Sequence, residues 1–441
     1  MGKKNVKSVE RTHEGAIIVG RAPTPEQLLR RSVLSCFLWE DQFYEGGDPI
    51  AQRIRMLAEQ VNPEVVAQLA IEARTVHNLR HAPLMLLLGL MPKDPKKPRH
   101  PDVKSVIAQT IQRPDEMGEL ISLYWDGKKR PLAAQLRKGL ARAFGKFDEY
   151  QLTKWDQNSA AVSVRDVMFL CHPEPANAER EALYKRIADK ETTPPDTWEV
   201  ALSGGADKKE TFTRLLSEGK LGYMALLRNL RNMVQSGVDH DLIAQAIVAR
   251  KGAGRVLPFR YTAAARACRE MRDPLNQALT ATVQDMDPLL GETIVLVDVS
   301  GSMTCALSSR SDLSRMDAAA TLAAIIPGRV RVFTFSNNTK EVKFKHEGTL
   351  DRIEEIIASQ PHSSTMLGEA VKTVNKLPHD RLIVITDEQS RDRVPDPKAE
   401  HAYMINVAGY RNGVSYTPDW THIDGFSESV LKFIGAMENE K

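Results

Sequence analysis

The pattern Asp298-x-Ser300-x-Ser302 is the clearest candidate for chemistry in this sequence. Alternate residues of a loop can point the same way, so one carboxylate and two hydroxyls would converge. Thr365, ahead of a predicted helix, offers a third hydroxyl, and Asp387, directly after an apolar run, offers a second carboxylate. Hard oxygen ligands of this kind suit Mg²⁺ or Mn²⁺, with water completing an octahedron. These five residues therefore predict a divalent-metal site.

The sequence does not favour a catalytic role for these serines. A nucleophilic serine needs a positioned base, and no recognisable triad, G-x-S-x-G elbow, P-loop or dinucleotide fingerprint is present. Two carboxylates combined with hydroxyls also differ from the sites of two-metal nucleases. We therefore predict a protein that is not an enzyme. A metal-dependent hydrolase, or a plain turn with a helix cap at Asp298, are the alternatives.

The elements that must position the metal site lie in residues 289–441. Apolar runs there predict strands at 292–299, 330–336, 382–386 and 402–407, with a weaker one at 341–345. Amphipathic stretches between them predict helices at 315–326, 350–359, 367–376 and 427–437. This alternation predicts a doubly wound parallel sheet covered on both faces. Ligands bind at the carboxyl ends of such strands, where the five candidate residues fall.

Residues 1–288 predict a different, helical architecture. From about Thr24 to Leu290 apolar residues recur at spacings of three and four, which is typical of amphipathic helices. Thr24-Pro25 and Asn62-Pro63 provide the capping residue and first-turn proline of two of them. Many consecutive helices with short connectors favour stacked pairs, as in HEAT-like repeats. A compact helical domain is equally compatible with this periodicity.

Charge and composition indicate where a polyanion would bind and in which compartment the protein lies. The chain has 441 residues and a formal net charge of +3. Residues 289–441 hold 17 basic and 21 acidic residues, and residues 1–288 hold 43 and 36. A polyanion would therefore bind the N-terminal part, although an unevenly charged solvated surface gives the same numbers. Four dispersed cysteines, a polar start and the lack of 18 consecutive apolar residues predict a cytoplasmic protein without a membrane span.

Motifs along almost the whole chain resemble the Ro (TROVE) family. ALLRNLRNM at 225–233, RVLPFR at 255–260 and RHAPL at 80–84 are similar to segments of the family's helical module. DVSGSM at 298–303, TDE at 386–388 and DGF at 424–426 continue the match in the same order. The D-x-S-x-S, Thr and Asp set itself resembles the metal-ion-dependent adhesion site of von Willebrand factor A domains.

The resemblance implies a two-domain fold. Residues 1–288 would form a TROVE module, a ring of HEAT-like helices, closed by a von Willebrand factor A domain at 289–441. In that domain Ser300, Ser302 and Thr365 would contact the ion directly. Asp298 and Asp387 would act largely through water, and one open position would accept an acidic group of a partner.

The resemblance also implies RNA ligands. Family members bind small structured noncoding RNAs (Y RNAs) on the outer face of the ring, and single-stranded ends of misfolded RNAs in its central hole. TKW at 153–155 and Leu170-Cys171-His172 resemble the outer-face site, so Lys154 and His172 are candidate RNA ligands. The family's second basic residue falls on Asn158 here. We therefore expect a site that is weaker or suited to a different RNA.

Five arginines in the family motifs are further candidates for RNA binding. Arg228 and Arg231 are three residues apart on one predicted helix and so share a face. Arg80, Arg255 and Arg260 occupy the other motifs. All five would either line the central hole or pair with carboxylates inside the helical module, and the sequence leaves both readings open.

Together these observations predict a monomeric ribonucleoprotein scaffold. It would bind structured and misfolded RNA through phosphate contacts and shape, with little base readout. Bacterial members of the family are linked to a 3′ exoribonuclease, which is the expected protein partner, whereas no DNA or membrane partner is expected. The alternative is a protein–protein adaptor that uses both the solenoid and the metal site.

Overall fold

The computed structural model describes residues 24–34, 47–91, 100–155, 161–307, 313–408 and 419–424, and in addition residues 430–431, 434–435 and 438. Its helices and strands fall into two compact units, one of which ends at Ala206 while the other begins at Asp207. Within these described ranges, no helix has the length and apolar character needed to cross a membrane.

The first unit is entirely helical in its described part. Several of its helices begin where the sequence offers a cap: the Asn62 side chain accepts a hydrogen bond from the Glu64 N–H at 2.9 Å, and Ser163 caps the Asp166 N–H at 3.0 Å. The helices are α1 (Pro25–Leu34), α2 (Gly47–Ala58), α3 (Pro63–Thr75), α4 (His81–Gly89), α5 (Val103–Thr110), α6 (Pro114–Trp125), α7 (Ala134–Phe144), α8 (Glu149–Lys154), α9 (Val164–Cys171), α10 (Ala178–Asp189) and α11 (Trp198–Ser203).

One continuous apolar core holds α1 to α10 together. Leu86, Ile107, Leu120, Leu140 and Phe144, from α4 to α7, are fully buried members of it. Each such side chain contributes roughly 1.5–3 kcal/mol to stability by leaving water. Contacts run from α3 to α4 and α5, from α5 to α7, and from α6 and α7 to α9. Packing between helices close in sequence agrees with the predicted stacking, while HEAT-like repeat geometry stays a prediction.

Gly118 shows how closely α6 approaches the segment that leads into α9. A Cβ atom at this position would lie 2.3 Å from the backbone oxygen of Val162. We expect Gly118→Ala to destabilise the protein by about 1–3 kcal/mol, because the helix must move away from Val162. Gly145→Ala, where the nearest atom is at an ordinary 3.6 Å, is the matched control and should be neutral or stabilising. Thermal unfolding of both variants checks this, and equal behaviour would contradict it.

The second unit combines helices with a six-stranded sheet in its described part. Its helices are α12 (Lys208–Ser217), α13 (Tyr223–Gln235), α14 (His240–Ala249), α15 (Phe259–Ala267), α16 (Arg272–Gln284), α17 (Arg315–Ala324), α18 (Thr349–Ile357) and α19 (Leu367–Val374), with short 3-10 helices at Ala253–Arg255, Arg269–Met271 and Gly301–Thr304. Its strands are β1 (Leu289–Asp298), β2 (Gly328–Phe335), β3 (Thr339–Glu341), β4 (Arg381–Thr386), β5 (His401–Asn406) and β6 (Thr421–Asp424).

The sheet has the order β3-β2-β1-β4-β5-β6 and is mixed. β2, β1, β4, β5 and β6 are parallel, but the short edge strand β3 pairs antiparallel with β2. The predicted parallel sheet is therefore found in five strands, while a tight connection returns the chain beside β2 as the antiparallel edge strand β3. The chain moves outward from β1 in one direction through β2 and in the other through β4. The point where the order reverses, between β1 and β4, is where a crevice for ligands forms.

Both faces of the sheet are buried, as its apolar strands require. Ile294 and Leu296 of β1 pack with α19 in one cluster, while the alternate residues Val295 and Val297 are equally buried. The helices α15 and α16 pack on α17 and α18 and so belong to the same compact unit as the sheet. The predicted boundary at 288/289 therefore marks the change from helices to strands, while the compact units divide at 206/207.

Candidate functional site

The carboxyl end of β1 carries the first group of predicted metal ligands. Asp298 is the last residue of the strand and is fully buried, and its Oδ1 accepts a hydrogen bond from the Ser300 N–H at 2.9 Å. The hydroxyl oxygens of Ser300 and Ser302 lie 3.3 Å apart. The turn between them is short because a 3-10 helix begins directly at Gly301. The structure thus brings one carboxylate and two hydroxyls together, as the spacing predicted.

The carboxyl end of β4 supplies the second carboxylate. Thr386, which ends the strand, donates its hydroxyl to Asp298 Oδ2 at 2.7 Å and so ties the two strand ends together. Asp387 follows and is also fully buried; its Oδ1 accepts from the Gln389 N–H at 3.2 Å. Its Oδ2 has no hydrogen-bond partner among the described residues. The nearest cation there is Arg315 of α17, with Nη1 at 3.8 Å, beyond hydrogen-bond distance.

The loop that carries Thr365 reaches the same edge of the sheet. Gly301 N–H donates to the carbonyl of Ser363 at 2.9 Å, and Met366 N–H donates to the carbonyl of Ser336 at 3.0 Å. Thr365 itself is buried, with 1% of its surface exposed. The fold therefore places Asp298, Ser300, Ser302 and Asp387 at the carboxyl ends of β1 and β4, and it brings the loop that carries Thr365 to Gly301 at the same edge.

The electrostatics of this edge suit a cation. Burial, and then the neighbouring charge of Asp387, raise the pKa of Asp298 to about 7. Burial also raises the pKa of Asp387, against the opposing effects of the Ser302 hydroxyl and Arg315. Two neighbouring buried carboxylates destabilise the folded state when both are ionised, because they are desolvated and repel each other. A bound divalent cation offsets this destabilisation. The unpartnered Oδ2 of Asp387 and the adjacent hydroxyls fit such an ion.

This donor set depends on hydroxyls rather than on many carboxylates. In the described part of the chain, no group of three or more His, Cys, Asp and Glu side chains is arranged to hold a metal. An ion at the β1–β4 crevice would therefore need Ser300, Ser302 and Thr365 as ligands. Oxygen ligands with only two carboxylates favour a hard cation such as Mg²⁺ over zinc.

Sequence reasoning missed three residues around the crevice. Thr386 bridges to Asp298, and Arg315 faces Asp387, as described above. Glu388 is fully buried in a left-handed conformation with φ of 58°, and its Oε1 lies 3.3 Å from His422 Nδ1. Thr386 and Glu388 belong to the TDE segment that marks the family resemblance, but the sequence indicated no role for either side chain.

Of the predicted RNA ligands, Lys154 lies in a cluster of cations and aromatic rings. It ends α8, and its Nζ lies 5.4 Å from the centroid of the Tyr150 ring and 5.8 Å from that of Trp155. On the same Trp155 ring, the Arg113 guanidinium lies 3.6 Å from the centroid. Tyr150 is 50% exposed. We name Tyr150, Lys154, Trp155 and Arg113 the Lys154 cluster.

His172 also lies on the surface of the first unit. It follows α9 as the exposed C-cap residue in a left-handed conformation, with φ of 50°. The N–H of His172 closes the helix on the carbonyl of Met168 at 2.9 Å. Asn158, the position of the family's second basic residue, lies outside the described residues.

The five candidate arginines are divided between the two units. Arg80, in the first unit, donates to Asp115 Oδ2 at 2.7 Å and also contacts Glu119, which is the internal pairing that the sequence left open. Burial and the charge of Arg80 lower the pKa of the adjacent His81 to about 4. In this motif the basic groups are thus engaged within the helical unit.

The other four arginines belong to the second unit. Arg228 and Arg231 are exposed on α13, and Arg231 Nε donates to the carbonyl of Ala267 at 3.0 Å. Arg260 is exposed, and its guanidinium lies 4.6 Å from the centroid of the Phe259 ring. Arg255 ends a 3-10 helix, and its side chain lies outside the described part of the structure.

Comparison with known proteins gives matches of three kinds. The TROVE domain family model matches residues 190–316, which span the helices α11 to α16 and the first strand of the sheet. The crystal structure of the Deinococcus radiodurans Ro (Rsr) protein has the same fold, with a TM-score of 0.63 and 16% identity over 94% of this chain and 99% of that chain.

The curated relatives are much longer proteins. Telomerase protein component 1 of Rattus norvegicus is 23% identical in a match that covers 49% of this chain and 12% of that protein. Its counterpart from Mus musculus is 38% identical over 15% of this chain and 3% of that protein. The chain thus spans about an eighth or less of the relatives it matches. Residues 190–316 are thus similar to a TROVE domain, and the chain has the fold of a Ro protein.

Proposed function

We propose that this protein binds RNA without cleaving it and serves as a ribonucleoprotein scaffold. The observation that carries the proposal is the Lys154 cluster in a chain with the fold of a Ro protein. The exposed Tyr150 ring would give an unpaired base a surface for stacking, and the adjacent Lys154 would neutralise a phosphate. The cluster lies at the lysine that the family resemblance identified from sequence.

The finer proposal concerns the kind of RNA and the partners. By the family resemblance, the ligands would be a small structured noncoding RNA, similar to a Y RNA, and the ends of misfolded RNAs. A 3′ exoribonuclease would be the protein partner, acting on RNA that this cytoplasmic scaffold presents. Residues 1–288 would offer HEAT-like stacking, and residues 289–441 would be a von Willebrand factor A domain.

We further propose that Mg²⁺ or Mn²⁺ binds at the β1–β4 crevice as an anchoring ion. Ser300, Ser302 and Thr365 would contact the ion, while Asp298 and Asp387 would act largely through water. The support is the pair of buried carboxylates and the unpartnered Asp387 Oδ2. An ion held mainly by hydroxyls remains electrophilic enough to accept a carboxylate from a partner protein.

RNA binding is tested with the full chain, purified free of nucleic acid, and a labelled hairpin RNA with a single-stranded 3′ tail. We expect affinity to fall linearly with salt on logarithmic axes, because bound phosphates release counterions. Lys154→Ala should weaken binding about five- to tenfold and reduce the slope by about 1. His172→Asn, which tolerates the left-handed backbone, should also weaken binding. Fluorescence anisotropy over a range of KCl concentrations measures both.

The controls separate the proposed function from its rivals. Lys343→Ala removes an exposed lysine from the sheet unit and should leave the affinity unchanged. Affinity that is independent of salt, or equal in the Lys154 and Lys343 variants, would contradict the proposal and favour a protein–protein adaptor. Metal-dependent cleavage of the hairpin that disappears in Asp298→Ala would instead identify a hydrolase.

A further inference from the structure

A cavity of about 380 Å³ lies in the second unit, away from the metal ligands. Three arginines line it at every third position: Arg266 at the end of α15, Arg269 in the following 3-10 helix and Arg272 at the start of α16. From α18 come the apolar side chains of Leu350 and Ile353 and the carboxylate of Glu354, which pairs with Arg266. The cavity thus combines three guanidinium groups with an apolar surface and one carboxylate.

Two of these arginines are held in place by carboxylates outside or at the rim of the cavity. Arg266 Nη2 donates to Asp317 Oδ1 at 2.9 Å, and its Nη1 donates to Glu354 Oε1 at 3.3 Å. Arg272 Nη2 donates to Asp351 Oδ1 at 2.6 Å. A guanidinium has five N–H donors in a rigid fork, so these contacts fix both groups while leaving donors for a ligand.

Arg269 is the residue whose charge the surrounding protein leaves uncompensated. It is exposed, and within the described ranges no carboxylate lies at ion-pair distance from it. The carboxylates of Asp317, Asp351 and Glu354 are directed to Arg266 and Arg272 instead. A ligand in the cavity would therefore meet one free guanidinium flanked by two that are already oriented.

We propose that this cavity binds the phosphate of a nucleoside monophosphate. Oriented guanidinium groups bind phosphate with two parallel N–H···O bonds, which is stronger and more directional than a single charge contact. The volume lies at the lower end of the range for small-ligand sites and suits a ligand of this size. The apolar side chains of Leu350 and Ile353 give the base a surface to pack against. The same group can come from a free nucleotide or from the 5′ end of an RNA.

The test is calorimetric titration of the full chain, freed of nucleic acid, with adenosine 5′-monophosphate at low ionic strength. Adenosine, which lacks the phosphate, should bind at least about tenfold more weakly. Arg269→Gln should reduce the affinity for the monophosphate by about tenfold or more, since it removes charged hydrogen bonds. It should fold normally, because Arg269 has no structural ion pair in the described part. Arg329→Gln, an exposed arginine of β2 outside the cavity, should bind as the parent does.

Competition identifies the source of the phosphate. Displacement of the monophosphate by an RNA oligonucleotide with a 5′-phosphate, but not by its 5′-hydroxyl form, would support the site and identify an RNA end. Displacement by neither would support the site and identify a free nucleotide. The inference is overturned if adenosine binds as well as the monophosphate, if Arg269→Gln binds as Arg329→Gln does, or if millimolar monophosphate does not bind. Lys154→Ala should bind the monophosphate normally, so this site and the proposed RNA surface can fail independently.

Discussion

Asp298→Asn is expected to stabilise the metal-free protein at pH 8, although it removes a residue of the candidate site. Burial and the charge of Asp387 raise the pKa of Asp298 to about 7, so the folded state holds a proton that the unfolded chain releases near pH 4. The contribution of Asp298 to stability is then greatest below pH 4 and is lost as the pH rises through 7. Asparagine is neutral throughout and avoids this loss, which is on the order of 4 kcal/mol at pH 8.

The hydrogen bonds at this position allow the substitution. The amide oxygen of asparagine can accept the Ser300 N–H, as Oδ1 does now, and the amide nitrogen can donate to the Thr386 hydroxyl once that hydroxyl rotates. Urea unfolding of both proteins in EDTA, from pH 5 to pH 8, measures the difference. We expect the free energy of unfolding of the variant to exceed that of the parent by a growing amount as the pH rises.

Mg²⁺ should reduce the stability advantage of Asp298→Asn over the parent. An ion that binds only the folded state adds stability by mass action, and at a hundred times its dissociation constant the gain is about 2.7 kcal/mol. The parent should gain this stability with millimolar Mg²⁺ at pH 8, and Asp298→Asn should gain much less. Asp380→Asn, an exposed acid at the other end of β4, is the matched control and should respond as the parent does. Identical pH and Mg²⁺ responses in all three proteins would show that these carboxylates bind no ion.

The metal candidates were predictable because they depend on the ends of apolar strands. LIVIT and ETIVLVDV are short runs rich in β-branched residues that predict buried strands, and parallel strands place their carboxyl ends at one edge. The structure accordingly gathers Asp298 and Asp387 there. β6 was not predicted, because Thr421–Asp424 is a four-residue strand with one strongly apolar side chain. The antiparallel β3 was expected only as a strand, since sequence gives no direction to a three-residue edge.

The partners of charged side chains could not be predicted. Arg80 pairs with Asp115 and Glu119, which belong to another helix some 35–39 residues along the chain. The spacing of three or four that signals a pair within one helix has no counterpart between helices. For the same reason nothing in the sequence indicated that Arg266 and Arg272 would be oriented by acids of α17 and α18. The stacking of Arg113 on Trp155 was hidden in the same way.

Glu116→Gln is expected to destabilise the helical unit by about 3–5 kcal/mol, because it breaks a buried ion pair without changing the shape of the side chain. Glu116 is fully buried in the first turn of α6 and accepts four hydrogen bonds. Oε1 accepts from Arg74 Nε at 3.0 Å and Nη2 at 2.8 Å, and Oε2 accepts from the N–H groups of Gln112 at 2.8 Å and Arg113 at 3.1 Å. A glutamine amide has one acceptor oxygen and one NH2 donor group. Its NH2 group would therefore face other donors, either those of Arg74 or the two backbone N–H groups.

Glu149→Gln is the matched control, because Glu149 makes the same kind of pair at the surface. Its carboxylate accepts from Arg186 at 3.1 and 2.7 Å, but 37% of the Glu149 side chain is exposed, so the loss should be at most about 1 kcal/mol. Hydrogen exchange under increasing urea, read out on peptides from residues 63–125, locates the effect of Glu116→Gln in α3 and α6. Arg74→Met combined with Glu116→Gln should cost less than the sum of the single changes, since the buried arginine is then no longer left unpaired. If the two glutamine variants lost equal stability, or the double variant were additive, the buried carboxylate would not be holding α3 to α6.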